Sequence, residues 1–222
     1  MQHPQAPKSP YPGKRALAIT IVAIVALASG FFAFQNPKPV AQEKQVSQID
    51  AGFARSMMLH HAQAIQMSMM MRNAASPEIQ ALAQSIILKQ TREMGVMEGW
   101  LTAWKEPVMV DGAPMAWVEN AKNVRHLDDQ LYQAQCKADG GAMAGVATPE
   151  ELAQLNLATG TDKEILFIKL MLAHHRAAIP MAWFANRNGE SSLVKAMAAS
   201  MVREQGMEIG WMQMKLQQID KS

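Results

Sequence analysis

The sequence predicts an all-α chain: a four-helix bundle made of two repeated helix hairpins with a long crossover, preceded by one N-terminal transmembrane helix. Three observations predict it. The first is an internal repeat. Phe53, Met57, His60, His61, Ala64, Ile65 and Met67 return as Phe167, Met171, His174, His175, Ala178, Ile179 and Met181 at a constant offset of 114. Ser85, Gln90, Glu93 and Met97 return as Ser200, Gln205, Glu208 and Met212 at an offset of 115. The second is apolar periodicity of helical type, bounded by helix start signals, with no convincing strand run. The third is an uncharged stretch of 19 residues, Ala16–Phe34.

Taken in order, residues 1–15 form a Pro-rich cytoplasmic tail with Lys8, Lys14 and Arg15 and no acid. Residues 16–34 are long enough to span a bilayer as a helix. Basic residues before the span and none within it put the tail inside and the remainder outside. The rival is a cleaved signal peptide ending at Ala26-Leu27-Ala28, which would release the protein outside the membrane. The run continuing through Phe31, Phe32 and Phe34 favours the uncleaved single-pass anchor. Residues 35–46 are Pro/Gln/Lys-rich and read as a linker.

The bundle then covers 47–220, as hairpin one (47–104), crossover (105–160) and hairpin two (161–220). Ser47 with Asp50 three residues on starts the first helix, which the periodicity carries to about Ala74. Ser76-Pro77 starts the second, ending near Trp104. Turn signals in 105–147 surround a helix near 114–135. Thr148-Pro149-Glu150-Glu151 is a capping box for a short helix over 148–158, and Gly160 ends it. Thr161 to Glu164 reads as another capping box, opening a helix to Asn188 that Gly189 stops. Ser191 or Ser192 opens the last helix, to about Ile219. A hairpin cannot bury its apolar stripe alone, so the two pair, and the crossover is long enough to span the bundle.

Bulk composition narrows the function. Charged residues are 18% of the chain and the formal charge is +2, too balanced for nucleic-acid binding by a basic face. Removing the first 40 residues takes Lys+Arg from 21 to 17 and leaves Asp+Glu at 19, so the exported part is slightly acidic. The single cysteine, Cys136, excludes an internal disulfide and a Cys-based zinc site, and reads as a small buried residue. Methionine is the outlier. Of 19, eight fall in 53–97 and seven in 167–214, so Met follows the repeat.

The repeated residues converge. On a helix, Met57, His60, His61 and Ala64 share one flank, and Met67 lies close to the His60 direction. The same holds for Met171, His174, His175 and Met181. Residues equally far from a hairpin turn sit at one height, which sets Gln90 opposite His60 and Gln205 opposite His174. Glu93 and Glu208 are one turn further, and Met97 and Met212 continue that stripe. Each half therefore gathers two imidazoles, a carboxylate, an amide and thioethers.

Two readings stay open. In one, the histidines are core residues satisfied by Glu93 and Glu208, because an unpaired buried polar group costs about 1–3 kcal/mol, and Met is gap filler. In the other, the cluster holds a metal ion. Imidazole with thioether favours copper, as Cu(I) or Cu(II), or silver, over harder cations. The double occurrence favours the metal.

"DAGFARSMMLHHAQAIQM" with "QTREMGVMEGWL", and "GVATPEEL", "FIKLMLAHHRAAIPM" and "EQGMEIGWM", resemble the bacterial domain-of-unknown-function 305 family over roughly 47–217. That resemblance implies a ferritin-like bundle, export to the bacterial envelope, and metal handling by His60, His61, His174 and His175 with nearby Met. Some members of that family have been connected with copper binding and tolerance. One departure from the repeat is Pro180, where the first half has Gln66; a kink there would make the two sites unequal.

A di-iron carboxylate enzyme would need Glu-x-x-His on two helices. Here Glu93 leads to Val96 and Met97, and Glu208 to Trp211. No Ser/His/Asp pattern or phosphate loop offers another catalytic residue, so the expectation is a non-enzyme, with a redox-active metalloprotein as the alternative. The expected partners are the metal ion and the membrane, with a homo-oligomer or an envelope protein partner left open. Trp100, Trp104, Trp183 and Trp211 are expected in core or bundle-end packing, and Trp117 has no assigned place. His126 is expected on a solvated face.

Overall fold

The computed structural model describes residues 46–72 and 76–219. The expected cytoplasmic tail, the anchor at 16–34 and the linker up to residue 45 lie outside the described residues. Every regular element among the described residues is a helix. They are α1 (Gln48–Met69), α2 (Pro77–Ala103), α3 (Ala116–Glu119), α4 (Leu127–Ala138), α5 (Pro149–Leu157), α6 (Gly160–Asn188) and α7 (Ser192–Ile219). Four are long and form two hairpins: α2 packs along α1, α7 along α6, and α1 packs on α6. The crossover helices lie on the α1/α6 side, α3 on α1, and α4 and α5 on α6. By length and composition α6 could cross a membrane, but it is a core helix carrying 13 buried residues.

The start signals act as read at four helices, the last through Ser191, whose Oγ accepts the Val194 amide at 3.4 Å. Ser47 Oγ accepts the Asp50 amide at 3.0 Å and Ser76 Oγ the Ile79 amide at 3.4 Å. The Thr148–Glu151 box is complete, with reciprocal bonds of 3.2 and 2.8 Å. The Thr161–Glu164 box does not form. The helix opens at Gly160, and its N-cap Thr159 makes no side-chain cap bond. Glu164 is buried and accepts the Ser76 amide at 2.6 Å, just before α2. Asp50 does the reverse: its carboxylate accepts the Glu190 amide at 3.1 Å and the Ser191 amide at 2.9 Å, just before α7. Each hairpin turn is thus capped by a carboxylate from the first helix of the other hairpin. This exchange is possible because Asp50 and Glu164 sit 114 residues apart, in register with the repeat.

Gly189 ends α6, but without a left-handed turn, since its φ is −66°. A Cβ there would sit 2.5 Å from Asp50 Oδ1, so the glycine makes room for the clasp. The helix expected near 114–135 is two helices, α3 and α4, separated by a loop in which Asn123 takes a φ of 60°. The first helix stops at Met69, short of Ala74. Helix α6 runs unbroken through Pro180. The carbonyl that Pro180 leaves without a partner belongs to Arg176, which is exposed to water.

The crossover is fastened to α1 and α6 by its buried groups. Trp117 packs edge-on to Phe53 and Phe184, and its Nε1–H donates to Ser56 Oγ at 2.8 Å. Gly52 lies so close to Trp117 that a Cβ would meet the indole Cβ at 2.3 Å. Arg187 holds the buried Asp129 in a two-pronged ion pair, and Arg55 pairs with Glu106. Gln63 pairs with the backbone of Ala147 in both directions, at 2.8 and 2.7 Å. Cys136 is buried, and His126 is more than half exposed, both as expected. Of the tryptophans assigned to packing, Trp183 is 39% exposed and stacks under Arg187 instead.

The apolar core comes in two blocks. One contains Phe53, Met57, Met97, Leu101, Met181, Phe184 and Met201. The other contains Met67, Met71, Ile86, Phe167, Met171 and Met212. On all four long helices the residues between the blocks are polar: His60 and His61 on α1, Gln90 and Glu93 on α2, His174 and His175 on α6, Gln205 and Glu208 on α7.

Candidate metal centre

The polar layer is built by pairing each leading helix with the helix behind it. His60, His61, His174 and His175 are fully buried. His61 Nε2 is 2.8 Å from Glu93 Oε2, and His175 Nε2 is 2.7 Å from Glu208 Oε2. His60 and His174 meet across the α1/α6 interface, ring centroids 3.6 Å apart and tilted by 34°. His174 Nε2 is 2.9 Å from the carbonyl oxygen of His60. The His174 and His175 rings lie 6.1 Å apart.

These partners fix the tautomers. A carboxylate and a carbonyl can only accept, so Nε2 must carry the proton in His61, His174 and His175. Nδ1 is then a bare lone pair in each. All three of those Nδ1 atoms are buried with no hydrogen-bond partner, and His60 has neither nitrogen partnered. The amide oxygens of Gln90 and Gln205 are also buried and unpartnered. Native interiors satisfy most buried polar atoms, and each orphan costs about 1–3 kcal/mol. Six residues with unmet acceptors in one layer, against one unpartnered donor, the N–H of neutral His60, form an acceptor-rich cluster that a cation would satisfy.

Electrostatics keep His60 and His174 uncharged. Burial, and then the neighbouring His174, His61 and His175, hold His60 well below the ordinary imidazole value. Burial and then His175 push His174 down to about 3, although the His60 carbonyl pulls the other way. Neutral imidazoles are the form that binds metal. Burial raises Glu208, but the His175 hydrogen bond and Lys89 outweigh it and hold the carboxyl below its usual value.

The sequence-assigned residues divide into three sets. The four histidines share the layer. Glu93 and Glu208 reach the Nε2 side of His61 and His175, so they orient the rings, as a carboxylate behind a metal-bound histidine does. The six methionines are buried but split: Met57, Met97 and Met181 belong to one core block and Met67, Met171 and Met212 to the other. Three thioethers therefore lie in the block on each side of the imidazoles. Among the described residues no three His, Cys, Asp or Glu side chains converge on one point as a finished cage. The groups at hand are imidazole nitrogen, with sulfur and amide oxygen at adjoining positions; of these, nitrogen and sulfur are the kinds a soft ion prefers.

Sequence reasoning missed Lys89, whose Nζ is 3.0 Å from Glu208 Oε1 and 4.0 Å from Glu204 Oε2. The signal was there: Lys89 and Glu204 occupy equivalent places in the repeat, 115 residues apart, and are the one pair at this level with opposite charge.

The sequence profile for the domain of unknown function DUF305 matches residues 50–216. The chain belongs to the DUF305 family. The matched span takes in both hairpins, the crossover and the whole polar layer. A DUF305 protein from Streptomyces coelicolor, provisionally described as secreted, is similar at 31% identity and a TM-score of 0.66, over 78% of this chain and 94% of that one. CopM in its Cu(I)-bound form is similar at 27% identity and a TM-score of 0.54, over 76% of this chain and 96% of CopM. Its Cu(II)-bound form gives 26% and 0.56 over the same shares. CopM is also known in an Ag-bound form, similar at 26% identity. No curated protein matches this DUF305 chain.

Proposed function

We propose that this protein is a membrane-anchored, exported binder of copper or silver ions, with its four long helices forming a ferritin-like bundle around the ion. The observation that carries the reading is the set of buried, unpartnered Nδ1 atoms on His61, His174 and His175, each ring oriented by an acceptor on Nε2, beside His60 with neither nitrogen partnered. Met57, Met97 and Met181 from one side, and Met67, Met171 and Met212 from the other, supply sulfur as the ion enters. Glu93 and Glu208 stay outside the ligand set and hold their imidazoles. The similarity to CopM with copper and silver supports the choice of ion. The uncharged run at 16–34 supports the anchor, and the Streptomyces relative supports export. In this reading the ion is cargo and the protein a binder rather than an enzyme; a redox-active metalloprotein is the lesser alternative.

One observation favours a second reading. The His60 and His174 rings are already stacked, and no finished cage exists among the described residues. In that reading the bundle is an envelope interaction module and the layer fixes how the two hairpins pair. The test is to add copper or silver to the wild-type protein and to the variant with all four histidines changed to alanine. The metal reading expects bound metal and a raised Tm in the wild type alone. Equal bound metal and equal Tm in both proteins would transfer the assignment to the interaction module.

A further inference from the structure

The polar layer has a closed side and an open side. On the α1/α6 side the crossover seals it. Gln63 is locked to Ala147 in both directions, and Gly145 lies so close to α6 that a Cβ would sit 2.7 Å from the Ala173 carbonyl oxygen and 2.5 Å from Ala177 Cβ. Among the described residues the α2/α7 side has no such cover. There a narrow crevice of about 10 Å³, room for roughly one water or ion, is lined by Lys89, Gln90, Glu93, Glu204, Gln205 and Glu208. Side-chain exposure falls steadily inward. Lys89 is 40% exposed, Glu204 27%, Glu208 12% and Glu93 9%, and the histidines behind them 0%. The unpartnered oxygens of Gln90 and Gln205 line the same crevice, and both residues are more than nine-tenths buried.

The mouth already contains a cation. The Lys89 ammonium bridges from α2 to Glu208 and Glu204 on α7. It breaks the repeat, since Lys89 stands where the second half has Glu204. We propose that this crevice is the ion's route to the histidines and that Lys89 is its gate. The ammonium stands in for the incoming ion at the carboxylates and must swing out before a metal ion can pass. Gln90 and Gln205 then offer the first oxygen contacts inside the mouth. Because the lysine is flexible and partly solvated, leaving Glu208 costs it little, and an arriving metal ion takes over the favourable interaction with the carboxylates. The gate acts on rate, since Lys89 pairs with the carboxylates of Glu208 and Glu204 and not with the imidazoles.

This inference rests on the metal-binding reading. The test adds Ag(I) to the full chain and follows tryptophan emission in a stopped-flow instrument, with bound silver counted at equilibrium. Lys89→Gln is expected to speed association about tenfold, within the range of electrostatic steering, with unchanged stoichiometry and a steeper loss of rate with added salt. Lys89→Arg is expected to stay close to wild type. Gln63→Ala, which loosens the sealed side, is expected to leave the rate unchanged. An association rate for Lys89→Gln within twofold of wild type overturns the gate, and acceleration by Gln63→Ala instead overturns the route. If wild type holds silver at equilibrium in either case, the function stands and only the route or gate falls. If no protein in the series holds silver, the function itself falls and takes the gate with it.

Discussion

The two hairpins agree inside and differ at the edge. Both carry a His-His pair, a glutamate on Nε2 of the second histidine, and a glutamine with an unpartnered oxygen. At the surface the first half has Lys89 and the second Glu204. Glu93 is buried and bonded to His61, while Glu208 is partly exposed and shared between His175 and Lys89. The clasps differ too. Asp50 accepts two amides and the Ser47 hydroxyl, whereas Glu164 accepts one amide. The difference teaches that interior chemistry constrains both halves together, because the rings meet across the pseudo-symmetric interface. Solvated rim positions carry no such constraint and have taken opposite charges.

The comparison breaks most completely when the shared pair is removed. Changing His60 or His174 alone to alanine is expected to abolish most bound silver in both halves, since the two rings are in contact. Elemental analysis that found half the metal retained would instead assign a separate site to each hairpin. Acid strikes both halves next. His60 and His174 are depressed in the folded state, so below about pH 6.5 the unfolded chain binds protons that the native chain refuses. Their contribution is whole above that value and is lost as pH falls toward the native values. Expected is a loss of about 1.4 kcal/mol per pH unit from His174 alone, between its unfolded value and about 3. Urea titrations of the metal-free protein at pH 7.5 and 5.5 measure it, and a flat response would mean the imidazoles are hydrated.

The clasps sharpen the contrast. Asp50→Ala is expected to cost about 3 kcal/mol and Glu164→Ala about 1–2 kcal/mol, in proportion to the donors each orphans; urea midpoints rank them, and equal losses would remove the asymmetry. At the polar layer, Glu93→Gln and Glu208→Gln are each expected to weaken metal affinity about 10–100-fold, as losing the carboxylate behind a ligating histidine does. Glu93→Gln should be the worse, because Glu208 is already divided with Lys89; competition titrations decide the order. Smallest for the fold are Met57→Leu and Met171→Leu, which nearly conserve volume and should cost less than about 1.5 kcal/mol. Cu(I) affinity should fall further than stability in both, and equal losses would make these thioethers packing alone.

Much of this was legible in the sequence because helices are local. Periodicity, Ser76-Pro77 and the Thr148–Glu151 box located elements from neighbouring residues. The repeat then did long-range work: equal heights within each hairpin set Gln90 and Glu93 at the level of the first histidine pair and Gln205 and Glu208 at the level of the second. Tertiary effects stayed hidden. Asp50 and Glu164 look like ordinary first-turn acids, and nothing local says that their carboxylates cross to the opposite turn. Gly189 looks like a left-handed stop, but its requirement is space for a side chain 139 positions earlier. Which nitrogen of each histidine faces inward depends on partners, so the orienting role of the glutamates could be read only from geometry. Trp117 could not be assigned because its partners, Phe53 and Ser56 on α1 and Phe184 on α6, are distant in sequence.

The exchanged carboxylates have a consequence for how the chain assembles. Asp50 waits for amides 140 residues downstream, and Glu164 answers a serine made long before it. Neither helix–turn–helix half can complete its own end, so the first to be synthesised stays unlatched until the second arrives. A solitary half would find its missing latch only in a twin, which makes a self-paired dimer the simplest forerunner of the duplicated gene.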